Sequence, residues 1–135
     1  MKIIGLDHIV LRVRDLDRML HFYRDGLGCP LERSLKDFGL YQLRAGAALI
    51  DLVTVDGPLG QAGGAAPGAE GRNLDHFCLA VAPFDAEALI RRLSPLAQRI
   101  DPVARRYGAQ GFGPSLYVTD PEGNVVELKG PAETP

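Results

Sequence analysis

The stretch Leu6–Val13, which reads LDHIVLRV, recurs as Leu74–Val81, which reads LDHFCLAV. Both copies fit the pattern L-D-H-x-x-L-x-V, and their histidines, His8 and His76, stand about half of the 135-residue chain apart. Self-similarity at this distance indicates two related halves. Each copy is rich in β-branched and apolar residues, so each is predicted to be a buried strand.

A helix is predicted after each copy. Asp15 and Asp85 are suitable N-cap residues, and apolar residues recur behind each of them at helical spacing. Gly26 and Gly28 are expected to end the first helix, and Pro95 lies beyond the end of the second. The two halves therefore begin alike, with a strand followed by a helix.

Three strand-like runs follow each helix. They are residues 31–35, 40–44 and 48–53 in the first half, and 100–103, 115–119 and 124–129 in the second. The sequence thus predicts an α+β fold of two βαβββ modules, residues 1–55 and 73–130, with a linker at 56–72 and a tail at 131–135. The glycine-rich stretch 107–114 fits either a mobile flap over a pocket or an ordinary connecting loop.

Charge and cysteine content narrow the functional classes. The chain has 15 basic and 17 acidic residues and a net charge of −2. It lacks the clustered positive charge that is typical of proteins that bind nucleic acid or an anionic membrane. No stretch approaches the roughly 20 apolar residues that span a bilayer. Cys29 and Cys78 are too few for a disulfide framework, and reduced thiols in a cytoplasmic protein are the simpler interpretation. Cys78, two residues after His76 on the same predicted face, could line a cavity, but a small buried apolar residue is the simpler interpretation.

Four polar side chains interrupt the predicted apolar strands. A single histidine such as His8 or His76 on such a strand is usually structural, because it satisfies one hydrogen bond. Asp51 and Glu127 occupy matching places in the last strand of each half, and either could pair with an arginine, such as Arg12 or Arg44. Two histidines and two carboxylates at matching places in a repeat are harder to explain in this way. Imidazole and carboxylate groups together suit one divalent ion of Zn, Mn, Fe, Co or Ni.

Two further motifs accompany the repeated strands. His21–Gly28 reads HFYRDGLG, similar to F-Y-x-x-x-L-G, and Asp120–Leu128 reads DPEGNVVEL, which matches D-P-[DE]-G-x-x-[IV]-E-[LF]. Together these motifs resemble the vicinal oxygen chelate superfamily of glyoxalases, bleomycin resistance proteins and extradiol dioxygenases. The resemblance covers essentially the whole chain apart from the linker and the tail.

The resemblance implies a fold, a ligand set and a small-molecule substrate. The two modules would curl into a half-barrel sheet around the metal, and its ligands would be His8, His76 and Glu127. Asp51 stands where glyoxalase I has its first glutamate ligand, but its side chain is one methylene shorter. Direct coordination by Asp51 and coordination through a water therefore both stay open. Members often pair modules between chains, so a homodimer is expected, with the site either within one chain or across its interface.

The first expected reaction is that of a glyoxalase I-like lyase or isomerase. The metal would polarise a vicinal oxygen pair, Glu127 would be the base, and Asp51 would be a ligand or a second acid–base group. An Fe(II) extradiol dioxygenase is the second candidate; it would leave Asp51 off the metal and need a further base. His21 is a poor candidate for that base because it is expected to face solvent; the remaining candidates are Tyr41, Tyr107 and Tyr117.

Two other classes in the same superfamily stay open. A fosfomycin-type thiol or water transferase needs a cationic pocket, to which several arginines could contribute: Arg12, Arg33, Arg44, Arg105 and Arg106. Surface solvation is the simpler role for most of them. A non-catalytic drug-binding protein would lack the metal ligands, so the intact ligand set argues against that class.

Overall fold

A computed structural model of the chain describes residues 1–134, and the last residue of the expected tail, Pro135, lies outside the described residues. The chain divides into two compact units, Met1–Gly68 and a second that begins at Ala69. The boundary between them falls inside the stretch 56–72. The finer boundaries at 55, 73 and 130 stay predictions.

The first unit contains a four-stranded mixed sheet and one helical segment. Its elements are β1 (His8–Val13), α1 (Leu16–Leu20), β2 (Leu31–Leu35), β3 (Leu40–Ala45) and β4 (Ala48–Thr54). The strand order is β1-β4-β3-β2, in which β1 runs parallel to β4 and the other pairs are antiparallel.

The predicted cap and apolar face of the first helix are confirmed. The Asp15 carboxylate accepts a hydrogen bond from the backbone N–H of Arg18 at 3.1 Å, which satisfies one free donor of the first turn. α1 is shorter than predicted, because the chain continues from it as a π-helical segment, His21–Gly26. Apolar side chains of this region and of the sheet form the core of the unit: Val13, Met19, Phe22, Tyr23, Leu43 and Leu52.

The second unit repeats this plan around a five-stranded sheet. Its elements are β5 (Phe77–Ala80), α2 (Ala86–Leu93), β6 (Arg99–Ile100), β7 (Ala104–Gly108), β8 (Gly111–Thr119) and β9 (Val125–Lys129). The order is β5-β9-β8-β6, and β7 also pairs with β8. The turn predicted at 120–123 is confirmed: the buried Asp120 carboxylate accepts hydrogen bonds from the backbone N–H groups of Glu122 and Asn124.

Two predictions for the second half need correction. The strand expected at 100–103 is instead two pieces, β6 and β7, and Pro102, which has no N–H to donate, lies in the break. The stretch 107–114 is neither a flap nor an irregular loop, because most of it belongs to the β7–β8 hairpin, in which Gly108 pairs with Gly111. Gly111 has a φ of +114°, a conformation that only glycine adopts without strain.

The segment after β4 is more ordered than its composition suggests. Residues Gly60–Gly63 form a turn of 3₁₀ helix. The Arg12 guanidinium of β1 donates hydrogen bonds to the carbonyl oxygens of Gly60, Gly64 and Ala65. A Cβ atom on Gly63 would overlap this guanidinium, so the close approach requires glycine there.

The α+β class is confirmed, with two mixed sheets and few helices. The helices found within residues 1–134 are all too short or too polar to cross a membrane.

Candidate metal centre

His8 and Asp51 lie on the same face of the first sheet. β1 and β4 are parallel neighbours, with Val10 opposite Asp51 and His8 opposite Leu49. Alternate residues of a strand share a face, so His8 and Asp51 are diagonal neighbours on the face away from the buried Leu11 and Leu52. The His8 pKa is raised, first by its hydrogen bond to Asp7 and then by the nearby Asp51 carboxylate.

Asp51 carries an unsatisfied oxygen. The residue is only 4% exposed, and its Oδ2 accepts a hydrogen bond from Gln42 Nε2 at 3.2 Å. Its Oδ1 is buried and has no hydrogen-bond partner. The two arginines suggested as partners are engaged elsewhere: Arg12 on the carbonyls of the 3₁₀ turn and Arg44 in a bidentate pair with Glu32. A cation beside this oxygen would satisfy it and offset the cost of burying the carboxylate.

His76 and Glu127 occupy the equivalent places in the second sheet. Cys78 is opposite Glu127 in the parallel pair of β5 and β9, and His76 is two residues earlier, immediately before β5. The His76 Nε2 atom lies 3.3 Å from Glu127 Oε1, and Glu127 is 6% exposed. Tyr117, opposite Glu127 on β8, packs against the His76 ring with centroids 5.1 Å apart. The Arg106 guanidinium lies over the Tyr117 ring.

The aspartate of each L-D-H motif orients the histidine beside it. His8 Nδ1 is 2.6 Å from Asp7 Oδ1, and His76 Nδ1 is 2.7 Å from Asp75 Oδ2. A carboxylate that accepts a hydrogen bond from Nδ1 favours the tautomer in which Nε2 carries no proton. The lone pair of Nε2 is then available to a metal. This role of the two aspartates was not predicted, although the Asp-His pair is repeated in the sequence.

The arginines considered for a cationic pocket have partners on the protein itself. Arg105 pairs with Glu133, Arg33 donates to Gln42, and Arg106 donates to Ser115 while it covers Tyr117. His21, as expected, is exposed, and it bonds Asp25. These interactions favour structural roles for the arginines.

A cavity of about 590 Å³ opens on the second sheet. Its wall includes His76, Cys78, Glu127 and Lys129, together with the hairpin residue Tyr107. The expectation that Cys78 is buried is wrong, because the side chain is exposed to this cavity. Desolvation by the wall, reinforced by the Glu127 carboxylate, raises the pKa of the Cys78 thiol to about 11, so it is neutral at pH 7.

The donor set fits a divalent metal. Within residues 1–134 no group of three or more His, Cys, Asp or Glu side chains is arranged to hold an ion; each unit brings two donors together. Both pairs combine an imidazole with a nearly buried carboxylate, and the Asp51 Oδ1 atom has lone pairs that no hydrogen bond uses. Nitrogen and oxygen donors of this kind suit Zn, Ni, Mn, Co and Fe(II).

Comparison with known protein families identifies one family whose model matches most of the chain. The family model described as "Glyoxalase/Bleomycin resistance protein/Dioxygenase superfamily" matches residues 5–128. No curated protein matches. Among solved structures, an integron cassette protein from Vibrio cholerae is 26% identical, with 96% of this chain and 97% of that chain covered and a TM-score of 0.72.

Two more distant structures carry functional names. A lactoylglutathione lyase from Agrobacterium tumefaciens is 24% identical, with 96% and 95% of the two chains covered and a TM-score of 0.67. The fosfomycin resistance protein FosX from Listeria monocytogenes is 20% identical, with 96% and 94% covered and a TM-score of 0.69. At these identities the likeness concerns the fold alone.

Proposed function

The chain belongs to the glyoxalase, bleomycin resistance protein and dioxygenase superfamily, and we propose that it is a divalent-metal-dependent enzyme of the glyoxalase type. One metal ion is held by the two pairs of donors: His8 with Asp51, and His76 with Glu127. The observation that carries this proposal is the partnerless buried oxygen of Asp51, at the position equivalent to Glu127.

The proposed reaction moves a proton between adjacent carbons of a small substrate with vicinal oxygens. The bound metal supplies Lewis-acid polarisation of a substrate oxygen. Glu127 is the base, because its nearly buried carboxylate lines a cavity where a carbon acid can approach it. Asp75 and Tyr117 hold the His76 ring in place beside this carboxylate.

A second candidate reaction is cleavage of an aromatic ring by O₂ at a bound Fe(II) ion. The contact between Tyr117 and His76 favours it, because such an enzyme needs an acid–base group near the metal. In that case His8, His76 and Glu127 form a facial set of three ligands, and Asp51 stays off the metal. The role of Asp51 therefore separates the two reactions.

The test is metal content, measured by mass spectrometry on protein purified without a His tag. We expect one ion per site in the wild type and loss of the ion in His8→Ala, His76→Ala and Glu127→Ala. The third histidine supplies the matched control, since His21→Ala removes an exposed imidazole and should retain the metal. Loss in Asp51→Ala supports proton transfer with four ligands, whereas retention supports a three-ligand site of the dioxygenase or fosfomycin type. A wild type that binds no metal after reconstitution refutes both and indicates a non-catalytic binder.

A mixing experiment decides whether one chain or two build the centre. His8→Ala and His76→Ala chains are unfolded together and refolded as a mixture. If each centre takes its pairs from two chains, some centres receive both intact pairs and metal binding partly returns. If each centre lies within one chain, every centre lacks one ligand and no binding returns.

The proton transfer has its own readout. Hydroxyacetone is incubated with metal-loaded protein in deuterated water, and exchange of its carbon-bound hydrogens is followed by NMR. Exchange catalysed by the wild type and abolished in Glu127→Gln supports the proposed base. Equal exchange by both proteins removes Glu127 from that role.

A further inference from the structure

The two units differ at one pair of facing residues, which in each unit lies two positions beyond the proposed carboxylate ligand on the same face of the sheet. In the first sheet Arg12 is opposite Val53, and in the second Ala80 is opposite Lys129. The long cationic side chain is therefore on the first strand of one unit, as Arg12 of β1, and on the last strand of the other, as Lys129 of β9. In the first unit the Arg12 guanidinium donates its hydrogen bonds to three backbone carbonyls in and just after the 3₁₀ turn.

The second unit has an open cavity at this place. Ala80 is too small to fill the space, and the hairpin residues above it are glycine and alanine, Gly108 and Ala109. The Lys129 stem lies across Gly108, where a Cβ atom would come within 2.9 Å of its Cδ and Cε atoms. The glycine makes room for the lysine.

Lys129 is a cation in the wall of this cavity, and most of its side chain is buried. It is 7% exposed and lines the cavity, yet within residues 1–134 its ammonium makes no ion pair and no side-chain hydrogen bond. A lysine whose stem is buried keeps its ammonium in contact with water or an anion, and the open space beside Lys129 is the cavity. Glu127 is the carboxylate two residues earlier on the same face, and the proposed metal uses it.

We infer that the cavity binds an organic oxyanion, a carboxylate or a phosphate ester, whose negative group pairs with the Lys129 ammonium. The inference deepens the proposed function, and it rests on it for the claim that the bound molecule is the substrate. The remaining wall is mostly apolar: Ala80, Val81, Ala82, Tyr107, Pro131 and Ala132. A volume of about 590 Å³ lies within the roughly 300–1,000 Å³ of small-molecule sites, so the ligand has an apolar body of several carbons.

The test compares ligands that share one body and differ in their charge. Hexanoate, hexyl phosphate and neutral hexanamide are titrated by calorimetry into the full chain at pH 7.5, without metal, so that a metal ion cannot attract the anions. We expect at least one anion to bind roughly tenfold more tightly than hexanamide, the size of one charge-assisted contact. The anion that shows the preference identifies the head group.

Variants assign the preference to one side chain. In Lys129→Met the affinities for the anion and for hexanamide should become nearly equal. In Lys129→Arg the anion should still bind more tightly than hexanamide, by most of the wild-type factor. Lys36→Met, which removes an exposed lysine in the first unit, is the matched control and should behave like the wild type. Ala80→Leu narrows the cavity beside an unchanged Lys129, and should weaken all three ligands even if Lys129→Met does not fold.

Two results would overturn the inference. One is a wild type that binds hexanamide as tightly as both anions, and the other is an anion preference that survives in Lys129→Met. Because the titrations are done without metal, their result does not depend on whether the proposed metal centre binds an ion. An intact metal centre with no anion preference would refute only the role of Lys129.

Discussion

Replacing Asp51 by asparagine should stabilise the metal-free chain while it destroys the metal centre. Asp51 is 4% exposed, Gln42 satisfies one of its oxygens, and the other has no hydrogen-bond partner. Asparagine has nearly the same shape and can keep the bond from Gln42 through its carbonyl oxygen. The substitution therefore removes a buried charge with little change in packing.

The expected magnitude follows from the unsatisfied oxygen. A buried polar group without a partner costs about 1–3 kcal/mol, and more when it is charged. The amide nitrogen of asparagine also lacks a partner at that place but carries no charge, so part of the cost remains. We expect Asp51→Asn to raise the free energy of unfolding of the metal-free protein by about 1–2 kcal/mol.

The assay is urea unfolding with chelator and again with one equivalent of Zn²⁺. The wild type should gain stability with zinc, and Asp51→Asn should gain little, because metal that binds only the folded state stabilises it. Glu32→Gln, which neutralises an exposed carboxylate in the same sheet, should lie within about 0.5 kcal/mol of the wild type in both conditions. A metal-free Asp51→Asn protein that is less stable than the wild type would refute the reasoning, as would one with an undiminished response to zinc.

Three further outcomes are expected. Arg12→Met should lower the free energy of unfolding by about 1–3 kcal/mol and speed proteolysis near residue 60, because its guanidinium holds three carbonyls there; Arg18→Met, an exposed control, should not. Bonds from Arg24 and His21 lower the Asp25 pKa to about 2, so its contribution to stability is complete above about pH 4 and lost as pH falls to 2. The stability gap between wild type and Asp25→Asn should close over that range, and a gap independent of pH would contradict it. Iodoacetamide at about pH 9.5, where part of the Cys78 thiol is ionised despite its raised pKa, should modify Cys78 in the native chain and Cys29, 6% exposed, only in urea, as read by peptide mass spectrometry; equal labelling would contradict the burial.

The sequence predicted the class of fold and the pairing of donors because both follow from strand periodicity. Alternation along the repeated L-D-H strands places His8 on the face opposite the buried Leu11. Matching positions in the last strands then identify Asp51 and Glu127. The metal that these residues are proposed to share stays a prediction.

The sequence did not predict the features that depend on unpatterned contacts. The glycine-rich stretch 107–114 was interpreted as a flap or a connecting loop, although Gly108 and Gly111 pair with each other in a hairpin. The exposure of Cys78 and the burial of Lys129 depend on the shape of the cavity, which the small residues at 80 and 108 create. Strand periodicity cannot reveal a cavity, because an open sheet face and a covered one have the same alternation.

The repeated sheet divides its positions into two classes for anyone who wishes to change which small molecule the proposed enzyme accepts. At the donor positions the two copies have kept the same chemistry: His8 and His76, Asp51 and Glu127. At the neighbouring positions they differ, and in the second copy a cavity opens there. Libraries for new specificities belong at Ala80 and the residues around it, since the same changes at Arg12 would dismantle a loop and leave selectivity untouched.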